Sequence, residues 1–177
     1  MTDPAARPAG LPSGREQGGS EGRKRFLADA AARGLEVELV ERLAAQSLEE
    51  AAAILGITPA DIVKSLVVKH KDGSFPFALV PGDRQISWPK LRQLIGVNKL
   101  SLPSADVALA ATGYERGTIT PLGSTSAWPV YADSTITGRR ISMGAGEHGY
   151  SAFVDADALT AALGAVVADI TELADPN

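Results

Sequence analysis

At 177 residues the chain is long enough for one domain with a sizeable core and a short appendage. Apolar residues make up 45% but aromatics only 5%, so the core is expected to consist of Leu, Ile, Val and Ala. A formal charge of -4 excludes a broad basic field for gripping long nucleic acid, and the lack of cysteine excludes disulfides, thiolate metal sites and a thiol nucleophile.

Residues 1–22 carry three prolines and five glycines with little that is large and apolar, which predicts a disordered leader. A first helix is expected from Arg23 to Arg33, closed by Gly34, then an edge strand over Glu36–Glu41 with Val37 and Leu39 on one face. Ser47-Leu48-Glu49-Glu50 reads as a capping box opening a helix that ends at Gly56. Thr58-Pro59-Ala60-Asp61 starts a short helical turn, with proline at the first helical position.

The strand Ile62–Val68 follows, and it holds the most informative residue of the chain. Lys64 shares a face with Ile62, Leu66 and Val68, while Ser65 sits with Val63 and Val67. Both faces are apolar, so the lysine must either snorkel to water or point into a polar cavity.

Lys71–Ser74 predicts a hairpin turn into Phe75–Val80, and Pro81-Gly82 fits the centre of a type II turn with glycine supplying the positive φ. Helices are expected from Ser87 to Ile95 and from Ser104 to Thr112, with a short strand at Lys99–Leu102 between them. Irregular sequence over Tyr114–Ala127 leads to a strand at Trp128–Ala132. Strands at Arg139–Met143 and Tyr150–Val154 flank a glycine-rich loop, Asp155 caps a last helix, and Val166–Ile170 ends the pattern. Strands alternate with helices, but hairpins are too common for a doubly wound sheet, which predicts a mixed α/β fold around a curved or barrel-like sheet.

Three motifs lose to plainer readings. Gly144-Ala145-Gly146-Glu147-His148-Gly149 matches the dinucleotide fingerprint letter by letter, but a strand rather than a helix follows it. His70 and His148 are the only histidines and lack the spacing of a zinc site, and no G-x-S-x-G elbow supports a serine triad. No cofactor and no metal are expected. Asp83 and Arg84 suit turn polarity, Arg139 and Arg140 are read as solvated or touching a phosphate, and Gly117–Pro121 is read as a surface loop or a backbone clamp.

The segments Ser47–Gly56, Ile62–Val67, Ala78–Arg84, Thr112-Gly113-Tyr114 followed by Gly117–Pro121, and Gly144–Gly146 stand in one order. In that order the chain resembles the YbaK/ProX family of aminoacyl-tRNA editing (deacylase) domains, also found inserted in bacterial prolyl-tRNA synthetases. The resemblance covers roughly Phe26–Leu173 and implies a leader over 1–22 followed by an editing domain over 23–174. It implies a compact α/β domain acting in trans as a hydrolase of mischarged tRNA, cytoplasmic, in translation quality control. The family's signature lysine falls on Lys64, and its G-x-x-x-P loop on Gly117 and Pro121. The resemblance thus nominates Lys64 and Gly117 as catalytic. Ser65, Asp83, Pro121, Gly144, Gly146 and His148 are nominated as substrate-binding, with Ser65 standing where the family commonly has threonine.

The implied partner is the aminoacyl-tRNA acceptor end, delivered by a synthetase or an elongation factor, with no membrane and no DNA contact. A module that holds a tRNA end, a nucleotide or a protein without turnover is the alternative on the same fold.

Overall fold

The computed structural model describes residues 14–175. The first helix, α1, runs over Gly14–Ala32. It starts upstream of the expected Arg23, so residues 14–22 of the expected leader are helical, while residues 1–13 lie outside the described residues. From Gly22 onward the helix packs on the body, and Phe26 and Ala30 are buried in the core. Glycine content was the sequence signal for disorder, but Gly22 serves close packing instead: a Cβ there would stand 2.2 Å from the Gly146 carbonyl oxygen.

Strand β1 (Glu38–Glu41) leads to α2 (Leu48–Leu55). Ser47 Oγ accepts from the Glu50 N–H at 3.0 Å, as a capping residue should. The Glu50 carboxylate answers on the amide of Gln46 rather than of Ser47. A single 3-10 turn at Pro59–Asp61 then delivers β2 (Val63–Val67), followed by β3 (Lys69–His70), β4 (Phe77–Pro81) and β5 (Arg84–Ile86).

The β4–β5 turn corrects one expectation. Gly82 is not among the glycines with positive φ, so its role is not that of a type II turn. Space is the reason: an added Cβ would meet Leu48 Cδ2 at 2.3 Å and the Pro59 carbonyl oxygen at 2.5 Å. Glycine here lets the turn slide under α2.

Helix α3 (Trp88–Ile95), strand β6 (Leu100–Ser101) and helix α4 (Ala105–Thr112) follow. The chain then forms β7 (Val130–Asp133), β8 (Arg140–Gly144), β9 (Tyr150–Asp155), α5 (Ala156–Leu163), β10 (Val166–Ala168) and β11 (Thr171–Leu173). Gly144–Gly149 is the β8–β9 hairpin connection, so no helix follows the glycines, as their sequence context predicts.

The main sheet runs β10-β7-β4-β2, parallel across β10, β7 and β4 and antiparallel between β4 and β2. A second sheet runs β1-β9-β8, all antiparallel. One parallel bridge, Ile62 to Ser142, joins the two sheets. Strands β10 and β1 remain at the outer edges, so the barrel-like expectation resolves into a mixed α/β domain with no closed barrel.

The two sheets share one core. Val63 and Val67 of β2, Leu79 of β4, Ala132 of β7, Ile141 and Met143 of β8, and Val154 of β9 pack there with Phe26 and Leu159 from the helices. The opposite face of the main sheet builds a second, smaller core from Val68, Ala78, Val80, Ile86, Leu91, Leu100 and Ile170. The alternation read for the lysine strand is thereby realised. Ser65 lies on the face of the larger core, and Lys64 on that of the smaller one.

Candidate functional site

Strand β2 is hydrogen-bonded to β4 on one side, but on the other it meets β8 only at the Ile62–Ser142 bridge. Beyond that bridge the strands bond no further, and a cavity of about 460 Å³ opens between them. That volume lies in the ordinary range for small-ligand sites, roughly 300–1,000 Å³. Residues 62–67 of the β2 segment form one wall, and Ser142–Gly144 of β8 with Ser151 of β9 form another. Leu48, Ala51 and Leu55 of α2, the 102–105 segment with Ala108 of α4, and Arg116, Gly117 and Ile119 close the rest. The lining is largely aliphatic, with a few polar groups placed in it.

Lys64 is one of these. It is half-buried, and its Nζ donates to the Arg84 carbonyl at 3.3 Å, beside the β4–β5 turn. Burial pushes its pKa below the ordinary lysine value, and the Asp83 carboxylate partly offsets that. Ser65 supplies a second polar group. Its Oγ is buried and has no hydrogen-bond partner among the described residues. A hydroxyl left unpaired inside a protein costs on the order of 1–3 kcal/mol, so its persistence calls for a reason.

Gly117 contributes backbone. Its φ of +92° is in the left-handed region that glycine alone adopts cheaply. The turn it belongs to is closed by the Thr118 N–H donating to the Glu115 carbonyl at 2.9 Å, and the Thr118 hydroxyl reinforces it at 2.8 Å. The Thr118 amide is therefore occupied, whereas the Gly117 amide bonds no acceptor among the described residues. Gly144 faces this loop at close range: a Cβ on it would lie 2.9 Å from the Ile119 carbonyl oxygen.

Of the residues nominated from sequence, Lys64, Ser65, Gly117 and Gly144 line this one cavity. The other four do not line it. Pro121 is buried behind the loop. Gly146 lies against Gly22, and its N–H donates to the Thr118 carbonyl at 3.0 Å, so it holds the loop from outside. Asp83 is exposed on the β4–β5 turn and reaches the site only through its charge on Lys64. His148 is exposed, with Nε2 at 3.1 Å from Glu115 Oε1, and its ring lies beside Gly117 on the outer side of the turn. Pro121, Gly146 and His148 each stand within two residues of a lining residue, where the chain has turned away from the cavity, whereas the β4–β5 turn that carries Asp83 contributes nothing to its wall.

Arg139 and Arg140 are committed elsewhere, Arg139 to Asp61 at 3.0 Å and Arg140 to Glu38. The sequence reading missed Arg42 and Arg116, both of which line the cavity. Neither lies in a motif, and only the fold brings the end of β1 beside the loop before Gly117. Among the described residues no group of three or more metal-ligating side chains is brought together, and no helix is long and apolar enough to cross a membrane.

Known proteins resemble the chain in fold and in sequence. The structure resembles a candidate trans-editing enzyme for prolyl tRNA synthetase, with a TM-score of 0.79 and 27% identity, covering 85% of this chain and 97% of that one. It also resembles the hypothetical protein APE2540, with a TM-score of 0.78 and 28% identity over 84% of this chain and 99% of that one. In sequence, the proline--tRNA ligase of Bacillus licheniformis is 32% identical over 101 residues, which is 57% of this chain and 18% of that enzyme. That of Thermosipho africanus is 38% identical over 79 residues, 45% of this chain and 14% of the enzyme. The chain thus spans under a fifth of the length of these ligases. Residues 44–162 match the family model of the aminoacyl-tRNA editing domain, and the chain belongs to that family.

Proposed function

We propose that this protein is an aminoacyl-tRNA deacylase that acts in trans, hydrolysing the ester of mischarged tRNA in the cytoplasm. The observation that carries the reading is the presence of Lys64 and Gly117 on the walls of one small cavity. An aminoacyl ester is already activated, so hydrolysis needs a positioned carbonyl and a stabilised oxyanion rather than a protein nucleophile. Water adds to the ester carbonyl carbon, and the tetrahedral intermediate carries negative charge on the former carbonyl oxygen. Collapse breaks the bond to the ribose oxygen, which takes a proton originating from the water, and free amino acid and tRNA leave.

Lys64 supplies a half-buried cation to the substrate oxygens, stronger there than in bulk water because the surroundings are less polarisable. The Gly117 amide orients the carbonyl. The Ser65 hydroxyl, unpaired among the described residues, is available to a polar group of the bound amino acid. Aliphatic walls limit its size, and one methylene is worth about 1–3 kcal/mol in such a sieve.

The test is a deacylation screen over tRNA charged with alanine, serine, threonine and cysteine. At least one should be turned over, and Lys64→Ala should lower kcat/KM for it by about 100-fold or more with thermal stability retained. The enzyme-dependent rate should also fall as pH rises through the depressed Lys64 pKa, because the cationic form is the active one. An unchanged rate in a folded Lys64→Ala protein overturns the role given to that residue. Binding of aminoacyl-tRNA with no hydrolysis in the whole panel favours a non-catalytic module instead.

A further inference from the structure

The cavity carries two cations that catalysis as described above does not use. Arg42 and Arg116 both line it, and neither has a carboxylate partner among the described residues. Four other arginines pair with carboxylates: Arg23 with Glu147, Arg33 with Asp29, Arg139 with Asp61, and Arg140 with Glu38. In a chain of net charge -4, the same cavity is lined by two arginines that have no carboxylate partner among the described residues.

Arg42 is also held in place. Its backbone N–H donates to the Gly149 carbonyl at 2.9 Å, fixing the end of β1 on the β8–β9 hairpin. Its Nε donates to Ser151 Oγ at 2.9 Å, and Nη1 reaches the Leu43 carbonyl at 3.3 Å. Two guanidinium nitrogens are thereby engaged, and Nη2 bonds no acceptor among the described residues. Arg116 is exposed and immediately precedes Gly117, in the turn closed by the Thr118 N–H on the Glu115 carbonyl.

An arginine fork matches a carboxylate or a phosphate. In an aminoacyl ester the carboxyl group is esterified and carries no charge, so the anions such a substrate brings are its phosphodiesters. The ester sits on the terminal nucleotide, which must enter a cavity of about 460 Å³, so the backbone crossing the rim is single-stranded. We infer that Arg42 and Arg116 form an anion subsite at the cavity rim that grips the phosphodiester backbone of a single-stranded RNA 3′ end. The inference rests on the deacylase reading for the identity of its ligand.

The test is read on uncharged RNA, so it does not depend on hydrolysis. Binding of the full-length protein to an RNA hairpin with a short single-stranded 3′ overhang is followed by fluorescence anisotropy across a salt series. The Arg42→Ala/Arg116→Ala double variant should raise Kd at least about tenfold at low salt and reduce the slope of log Kd against log salt by about 1.4, at about 0.7 per single-strand phosphate contact. The double lysine variant should keep most of the slope, and Arg140→Ala, whose guanidinium pairs with Glu38, should behave as wild type. A blunt hairpin should bind the alanine and wild-type proteins equally.

An unchanged slope in the alanine variant overturns the subsite. So does an equal loss in the lysine variant, which would mark a structural role, or an equal loss on the blunt hairpin. A protein that hydrolyses no aminoacyl-tRNA yet shows arginine-dependent overhang binding keeps this subsite and loses the deacylase reading. Hydrolysis with an unaltered salt slope does the reverse.

Discussion

A lysine in the middle of an apolar strand is tolerable here because β2 becomes a free edge just past Ile62. Its stem can lie along the smaller core while the ammonium reaches a carbonyl and a nearby carboxylate, which limits the desolvation cost. Gly144 makes the opposite bargain, giving up a side chain so that the Gly117–Pro121 loop can run against β8. Gly144→Ala should therefore push the loop away from its position, since a Cβ would sit 2.9 Å from a backbone oxygen that has little room to move. A displacement near 1 Å can cost on the order of 100-fold in rate. The expected result is a kcat reduced by about tenfold to 100-fold with only a modest drop in Tm. Wild-type kcat in that variant would show that the loop's contact with β8 does not position the reaction.

At the scale of elements, α1 behaves as a clasp on the loops behind the cavity. Arg23 pairs with Glu147 at 3.3 Å and stacks on Tyr150 at 4.4 Å. Arg25 donates to the Gly113 and Gly123 carbonyls and stacks on Tyr114, whose hydroxyl pKa burial pushes up to about 12. Asp29 accepts from the Gly123 amide at 2.8 Å. All of this requires the helix to approach the β8–β9 turn backbone to backbone at Gly22. Gly22→Ala should force it outward at a cost of about 1–3 kcal/mol, the usual scale for overpacking a tight contact. Thermal denaturation should show a lowered Tm, and hydrogen exchange should quicken at residues 144–149. An unchanged exchange rate there would mean that the turn holds its shape without the helix.

The elements most legible in the sequence were those whose cause is local. Ser47 and Ser104 cap α2 and α4 through their own side chains, and Asp155 does the same for α5. Strands β5 and β11 went unread: each is a three-residue run among turn residues, and they pair across the chain at Ile86 with Thr171. Such short runs have no periodicity to detect; the partner alone makes them strands. Gly82 was legible as a turn residue but not in its reason, since the atoms that demand it belong to Leu48 and Pro59.

For the molecule as a whole, the end of the main sheet is tied to β11 by one buried carboxylate. Asp133 accepts from the Ile170 N–H at 3.1 Å, and from the Thr135 N–H and hydroxyl. Burial alone would raise its pKa, but these hydrogen bonds, with one from Thr171, outweigh burial and hold it below the ordinary aspartate value. A carboxyl whose pKa is depressed by folding contributes stability that is present above its unfolded pKa and lost as pH falls through its folded one. Denaturant titrations at stepped pH should show that acid loss, and Asp133→Ala should lower stability near pH 7 by about 2–4 kcal/mol while flattening the acid limb. An acid limb of wild-type steepness in the variant would assign it to other carboxylates.

The sequence by itself determined the capped starts of α2, α4 and α5, the alternation that sends Lys64 and Ser65 to opposite faces of a strand, and the family whose motifs those residues carry. Each depends on residues within a few positions of one another, where propensity and period operate. Only the tertiary structure decided that the cavity lies where β2 and β8 part, that Arg42 and Arg116 both line it, and that Asp83, Pro121, Gly146 and His148 stand outside its lining. Those facts come from segments far apart in the chain, and a cavity is the space that packing between such segments leaves unfilled.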